Sequence, residues 1–236
     1  MPSLKLHQQC RWHICATSVE LERSATQAIL DSAQQAIAER GVFRIVLAGG
    51  ATPRKIYQAL NEASADWSAW QVYFGDERCL PPDHAERNSR MAALAWLDHV
   101  AIPRGRIHPI HAEAGAESAA ADYAQTLEGI GLFDLVLLGL GEDGHTASLF
   151  PGHDIGASPE SPAAIAVHHA PKPPPDRVSL SAQRLSAARQ VMFLVTGETK
   201  RQAVHNWRKG ADIPAAAIVP ANKVDVYLQA ALQESY

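Results

Sequence analysis

Apolar residues along this chain fall into blocks whose lengths predict a mixed α/β architecture. Residues 133–139, FDLVLLG, form an almost unbroken apolar run. Runs of that kind mark a strand buried on both faces, as in a parallel sheet covered by helices. Residues 43–48, 70–74 and 190–195 have the same character. Helical patterns lie between them. Thr17 and Glu20 fit a capping box, apolar positions follow at Leu21, Ala25, Ala28, Ile29, Ala33 and Ile37, and Gly41 stands at the stop. Further helices are predicted from the GGATP turn through Leu60, over about 88–99 and 116–128, and through Arg208. Shorter strands are predicted at 163–167, 177–181 and 223–228, with a stiff extended run at Pro171-Lys172-Pro173-Pro174-Pro175. Strands alternating with helices, with no internal repeat and no long linker, predict a single domain over 1–236. Its expected class is α/β, a three-layer α/β/α arrangement around a mostly parallel, Rossmann-like sheet.

Composition narrows the function classes. The 236 residues are 47% hydrophobic and 19% charged, which is ordinary for a globular chain. A net charge of -4 and a pI near 6.2 give no footprint for nucleic acid. No apolar stretch reaches a membrane span, and the first residues lack the apolar core of a signal peptide. Cys10, Cys15 and Cys79 are too few for a disulfide framework. A soluble, cytoplasmic protein is expected, monomeric or a small homo-oligomer, with neither membrane nor nucleic-acid partners.

The candidate chemistry lies at strand ends. The runs 43–48, 70–74, 133–139 and 190–195 release GGATP, GDER, GEDGH and TGETK at their carboxyl ends. In a parallel sheet those ends share one edge, where ligands of open α/β sheets bind. Gly49, Gly50, Ala51 and Thr52 offer close backbone approach, with Thr52 as N-cap and Pro53 at the first helical position. Free N–H groups there favour a phosphate, although an ordinary strand-to-helix turn has the same composition. Lys200 and Arg177 can supply countercharge, or stay solvated. Arg78 suits an oxyanion or a phosphate, and Asp76 can orient it, hold substrate hydroxyls, or form a local ion pair with it. His145, flanked by Asp143 and glycines, is placed for proton transfer. Asp143 is expected to hold the histidine near or slightly above its ordinary pKa of about 6.5 in a partly wet turn. His7, Cys10, His13 and Cys15 match no common zinc spacing, so no metal site is expected.

These motifs resemble the glucosamine-6-phosphate isomerase/6-phosphogluconolactonase family, whose lactonase pattern is roughly SGGSTP, GDERxVPxxHxxSN, GxGxDGHTASLFPG, PKPPxxRITLT and GxxK. Here they stand as Ala48 to Pro53, Gly75 to Asn88, Gly139 to Gly152, Pro171 to Ser181 and Gly197 to Lys200. Ala48 and Ala51 replace serines, and Arg87 replaces the serine before Asn88. The resemblance implies a fold shared with glucosamine-6-phosphate deaminase and related to ribose-phosphate isomerase and CoA-transferase domains. It implies hydrolysis of a sugar-phosphate lactone without cofactor or metal. His145, Asp143 and Arg78 would be catalytic, and Gly49, Gly50, Ala51, Thr52, Asp76, Arg177 and Lys200 would bind substrate. The related deaminases carry a glutamate five residues after the histidine, where this chain has Phe150. A non-catalytic sugar-phosphate sensor is the remaining alternative, disfavoured because Asp143 and His145 are kept.

Overall fold

The structure, a computed structural model, describes residues 8–233. Along the chain run β1 (Cys10–Cys15), α1 (Ser18–Arg40), β2 (Phe43–Leu47), α2 (Ala51–Asn61), β3 (Trp70–Phe74) and β4 (Asp76–Arg78). Then come α3 (Asn88–Ala92), β5 (Ile107–His108), α4 (Ala116–Thr126), β6 (Phe133–Gly139), β7 (Ala164–Val167) and β8 (Arg177–Leu180). The last elements are α5 (Ala182–Ser186), β9 (Ala188–Val195), α6 (Arg201–Arg208) and β10 (Val224–Gln229). Seven strands form one sheet in the order β1-β10-β9-β6-β2-β3-β5, and every pairing is parallel. Phe133 to Leu138 are all buried, as a strand covered on both faces must be. Among the described residues no helix is long and apolar enough to cross a membrane.

Local signals act much as their chemistry dictates. The Thr17 hydroxyl accepts from the Glu20 N–H at 3.1 Å, while the Glu20 carboxylate reaches back to the Ala16 N–H at 2.7 Å. Gly41, at φ 71°, closes α1 by donating to the Ile37 carbonyl. The helix expected at 88–99 begins at Asn88 but widens into a π-helical turn over Ala93–Leu97. That widening seats Trp96 in an aromatic cluster with Trp67, Trp70 and Tyr57.

Two features depart from the sequence reading. Cys10–Cys15 is an edge strand paired with β10. His13 there meets Asp225 at 2.7 Å and stacks on Tyr227, and Cys10 meets Gln8; His7 lies outside the described residues. Second, β4, β8 and β7 form a separate three-stranded antiparallel sheet. The GDER segment therefore leaves the main sheet at Gly75 and at once enters another.

That short sheet is secured by Glu77, which is fully buried. Its carboxylate accepts from the N–H groups of Arg78, Asn88 and Ser89 at 2.8 Å and from the Ser89 hydroxyl at 2.7 Å. Arg87 Nε approaches it at 3.3 Å, and the same guanidinium donates to Glu113 at 2.6 Å, Leu80 O at 3.0 Å and Ile110 O at 2.6 Å. Replacing Glu77 with alanine would leave Arg87 and three N–H groups short of a partner. Glu77→Ala should lower the unfolding free energy by about 3–5 kcal/mol, the usual cost of breaking a buried charge pair. Urea unfolding should show this as a lower midpoint at unchanged slope. A loss below about 1 kcal/mol, the size of a surface pair, would show that water replaces the carboxylate there.

Candidate active site

The middle of the sheet opens where β2 and β6 lie side by side but send their connections opposite ways. From β2 the chain passes through α2 to β3, whereas from β6 it returns on the other side at β9. Such a switch point leaves a crevice at the carboxyl ends of the strands. A cavity of about 440 Å³ occupies it, lined from all four strand ends. Gly49, Gly50, Ala51, Thr52, Asp76, Arg78, His145, Arg177 and Lys200 line this cavity together; Asp143 stands behind His145.

The GGATP turn differs in detail from its sequence reading. Gly50, at φ 113°, is the N-cap, so Thr52 and Pro53 fall inside the first turn of α2. Thr52 spends its hydroxyl on Thr196 at 2.7 Å, which ties the turn after β2 to the turn after β9. The N–H groups at the start of α2 still point outward from the first turn, as at any helix N-terminus. Gly49 is needed for space: a Cβ there would lie 2.0 Å from Asn88 Oδ1. Asn88 is held by Asp76, whose carbonyl and Oδ1 each accept from Nδ2 at 3.0 Å. The second Asp76 oxygen accepts from the Ser148 hydroxyl at 2.6 Å.

Asp76 is therefore a buried brace between Asn88 and Ser148, and the local ion pair with Arg78 is absent from the described contacts. Arg78 instead donates through Nη1 to the Glu86 carbonyl, and its Nε is buried without a hydrogen-bond partner. Arg177 is buried and donates to three consecutive carbonyls: Pro174 at 3.1 Å from Nε, and Lys172 at 2.8 Å and Pro173 at 3.1 Å from Nη2. Lys200 is half-buried. Burial pushes its ammonium below the ordinary range against the pull of Glu142, and nearby Lys172 adds to the depression.

His145 sits on a tight turn. Gly141 donates to the His145 carbonyl at 2.7 Å, and a Cβ at Gly141 would meet the imidazole Nδ1 at 2.0 Å. His145 Nδ1 lies 2.5 Å from Asp143 Oδ1, which also accepts from the His145 N–H at 3.1 Å. A carboxylate can only accept, so Nδ1 carries the proton and Nε2 keeps its lone pair. Phe150, fully buried, packs against the imidazole with ring centroids 4.7 Å apart.

The expected pKa direction is overturned here. Burial lowers the His145 pKa and outweighs the Asp143 hydrogen bond and charge, which raise it; Lys172 adds to the lowering. The turn is drier than a glycine-rich segment implies, because Phe150 and Gly141 close on the ring. The sequence reading also passed over Asn88, Lys172 and Thr196 as lining residues. A lone lysine inside a proline run was the available signal for Lys172; a threonine directly after a buried strand was that for Thr196.

Residues 16–227 match the family model described as glucosamine-6-phosphate isomerases/6-phosphogluconolactonase. The chain is similar to the 6-phosphogluconolactonase of Synechocystis sp. (strain ATCC 27184 / PCC 6803 / Kazusa), at 42% identity over 72% of this chain and 73% of that one. It spans little more than half, 56%, of a longer relative, the probable chloroplastic 6-phosphogluconolactonase 4 of Oryza sativa subsp. indica, at 37% identity over 71% of this chain. Among solved structures, the 6-phosphogluconolactonase of Trypanosoma brucei superposes with a TM-score of 0.85 at 26% identity, over 96% of this chain and 98% of that one. A monomeric glucosamine-6-phosphate deaminase superposes with a TM-score of 0.82 over 94% of this chain and 100% of that one, but at 21% identity it shows a shared fold alone. The chain belongs to the glucosamine-6-phosphate isomerase/6-phosphogluconolactonase family.

Proposed function

We propose that this chain hydrolyses 6-phospho-D-glucono-1,5-lactone to 6-phospho-D-gluconate, a step of the oxidative pentose phosphate pathway. The observation that carries the reading is the charge pattern of the cavity. Among the described residues, Arg78, Lys172, Arg177 and Lys200 line it against one carboxylate, Asp76, with the free nitrogen of His145 among them. Such a site suits a phosphorylated, uncharged ring attacked by water. The relatives named 6-phosphogluconolactonase support the same substrate.

In the proposed mechanism the phosphate rests on the N–H groups of the Gly49–Thr52 turn, with Lys200 as countercharge and Arg177 in the adjoining wall. His145 Nε2 takes a proton from water as the oxygen attacks the lactone C1 carbonyl. Asp143 fixes the tautomer and steadies the imidazolium that forms. Arg78, anchored through Nη1 but unpaired at Nε, stabilises the oxyanion. Collapse breaks the bond between C1 and the ring oxygen, which takes the proton back from Nε2 and leaves as the hydroxyl. Deamination would need an acid where Phe150 stands, and a phenyl ring moves no proton.

The purified protein should accelerate lactone hydrolysis above a no-enzyme control, keep that rate in chelator, and release no ammonia from glucosamine-6-phosphate. Sugar-phosphate binding without turnover, or ammonia release at a comparable rate, would reject the assignment. His145→Ala should lower kcat by roughly 10²–10⁴-fold while product still binds. Near-normal turnover in that variant would place the base elsewhere.

The pH profile tests the electrostatics. A base must be neutral, and burial has lowered the His145 pKa, so activity should persist below histidine's ordinary value and fall only as pH drops through the lowered one. The acidic limb of kcat/KM, which reports the free enzyme, should therefore lie below about 6.5. Asp143→Asn removes the largest influences that raise the pKa, leaving only the smaller one of Asp76, and should move the limb lower still. Magnetic resonance titration of the imidazole measures the same quantity directly. A midpoint above about 6.5 would mean that the carboxylate, and not burial, governs the ring.

A further inference from the structure

The segment from Pro171 to Pro175 forms one wall of the cavity, and its lysine was not among the residues singled out for the reaction. Four of its five residues are prolines. Such a segment is stiff along its length but has no internal hydrogen bonds, and prolines offer no N–H. Its direction relative to the sheets can be fixed only by donors that reach its carbonyls from outside. The Ala170 N–H supplies one, to the Pro175 carbonyl at 2.9 Å, and Arg177 supplies three more: the one guanidinium donates to the carbonyls of Lys172, Pro173 and Pro174 at 2.8, 3.1 and 3.1 Å. It is itself braced from below by the Phe150 ring, 5.5 Å from its centre. The far side of the loop is tied by His168, which meets Asp176 at 2.9 Å and Glu117 at 3.0 Å.

This arrangement divides the work between the two cations. Arg177 has committed Nε and Nη2 to backbone and keeps only Nη1 for a ligand. Among the described residues the ammonium of Lys172 has one ion-pair partner, Glu142 at 3.8 Å, too long for a firm hydrogen bond, and it lines the cavity.

We propose that Lys172 is a substrate-binding residue for the phosphate, and that Arg177 is a positioning residue that holds the proline loop so that Lys172 reaches it. The inference rests on the sugar-phosphate reading of the site and deepens it. Arg177 then matters for its fork of donors, which a lysine cannot reproduce.

The test is a double-mutant cycle on the full chain, read as the Kd of 6-phosphogluconate by calorimetry. Lys172→Ala should weaken binding by about 10- to 100-fold, the range for loss of a charged hydrogen bond. It should leave the much weaker binding of unphosphorylated gluconate within about twofold, since no charged bond is lost there. Arg177→Ala should cost a similar factor in the wild-type background and little more than about twofold in the Lys172→Ala background, because both act through one contact. Arg177→Lys should behave like Arg177→Ala and not rescue. Multiplying effects, or rescue by Arg177→Lys, would make Arg177 a direct phosphate ligand and overturn the proposal. If the Arg177 variants do not fold, Lys172→Ala decides alone: binding within about twofold of wild type overturns it. The lactonase assay stands apart. A non-additive cycle without turnover keeps this inference and rejects the lactonase reading, whereas turnover with an additive cycle does the reverse.

Discussion

Parallel strands that open a crevice must stop pairing at their carboxyl ends, and each stop leaves backbone groups that lose their sheet partners inside the protein. An unpaired buried N–H or C=O costs about 1–3 kcal/mol, so these ends have to be finished by other donors and acceptors. After β2, the Tyr57 hydroxyl accepts from the Ala48 N–H at 3.0 Å and donates to its carbonyl at 2.9 Å. At the end of β3, the Tyr123 hydroxyl accepts from the Phe74 N–H at 2.8 Å. At the end of β6, the Thr146 hydroxyl donates to the Gly139 carbonyl at 2.8 Å. Gly75 then donates to the Leu47 carbonyl at 2.9 Å, closing β2 against β3. Each device lets a strand end diverge from its neighbour without an orphaned group. The cavity exists because those ends are finished, and the residues that finish them also fix the turns that bear the chemistry.

The same accounting explains the alanines where the family's phosphate turn has serines. Ala48 is held through its own peptide by Tyr57, so the turn needs no side chain there to stay in place. At Ala51 the proposed anion seat uses the backbone N–H, which every residue except proline supplies. His145, the proposed base, follows a different balance. Its partner Asp143 is close enough to raise its basicity, yet Phe150 and the closely packed Gly141 cover much of the ring. Burial prevails, and the imidazole stays neutral at lower pH than histidine ordinarily would. A base with that environment is ready over a wider range of acidity, although it is a weaker base once engaged.

The main sheet and its crevice were legible in the sequence because buried parallel strands are apolar without interruption, and their ends are marked by glycine and charge. The runs at 43–48, 70–74, 133–139 and 190–195 became β2, β3, β6 and β9, which are neighbours in the sheet. The antiparallel sheet was not legible. Asp76–Arg78 has three charged residues in a row and no alternation of polarity, and only pairing with β8 makes it a strand. Cys10–Cys15 mixes polar and apolar residues because it lies at an edge, where one side keeps contact with solvent. Lys172 was hidden by its context, since a proline run reads as stiffness and not as a wall of a site. The His145 pKa direction depended on Phe150, whose ring returns to the imidazole from five residues away. Spacing alone could not show that contact.

The charges of β4 show why a buried ion-pair network serves here at all. Buried salt bridges seldom exceed a well-packed apolar alternative in stability, so Glu77 and Arg87 call for another reason. In a strand, successive side chains point to opposite faces, and a slip of one residue exchanges those faces. Asp76 and Arg78 line the cavity, while Glu77 points away to Asn88, Ser89 and Arg87. With only three residues paired to β8, little apolar surface sets the register of β4. A one-residue slip would bring Glu77 into the cavity and withdraw Arg78. That would remove the guanidinium proposed for the oxyanion and set a second carboxylate in a cavity lined mainly by cations. The Glu77 network resists this slip because in any other register the N–H groups of Asn88 and Ser89 would lose their shared acceptor and Arg87 its buried counter-charge. Arg87, where the family pattern has a serine, thus acts on the cavity from outside it, by fixing which of three adjacent charges face into it.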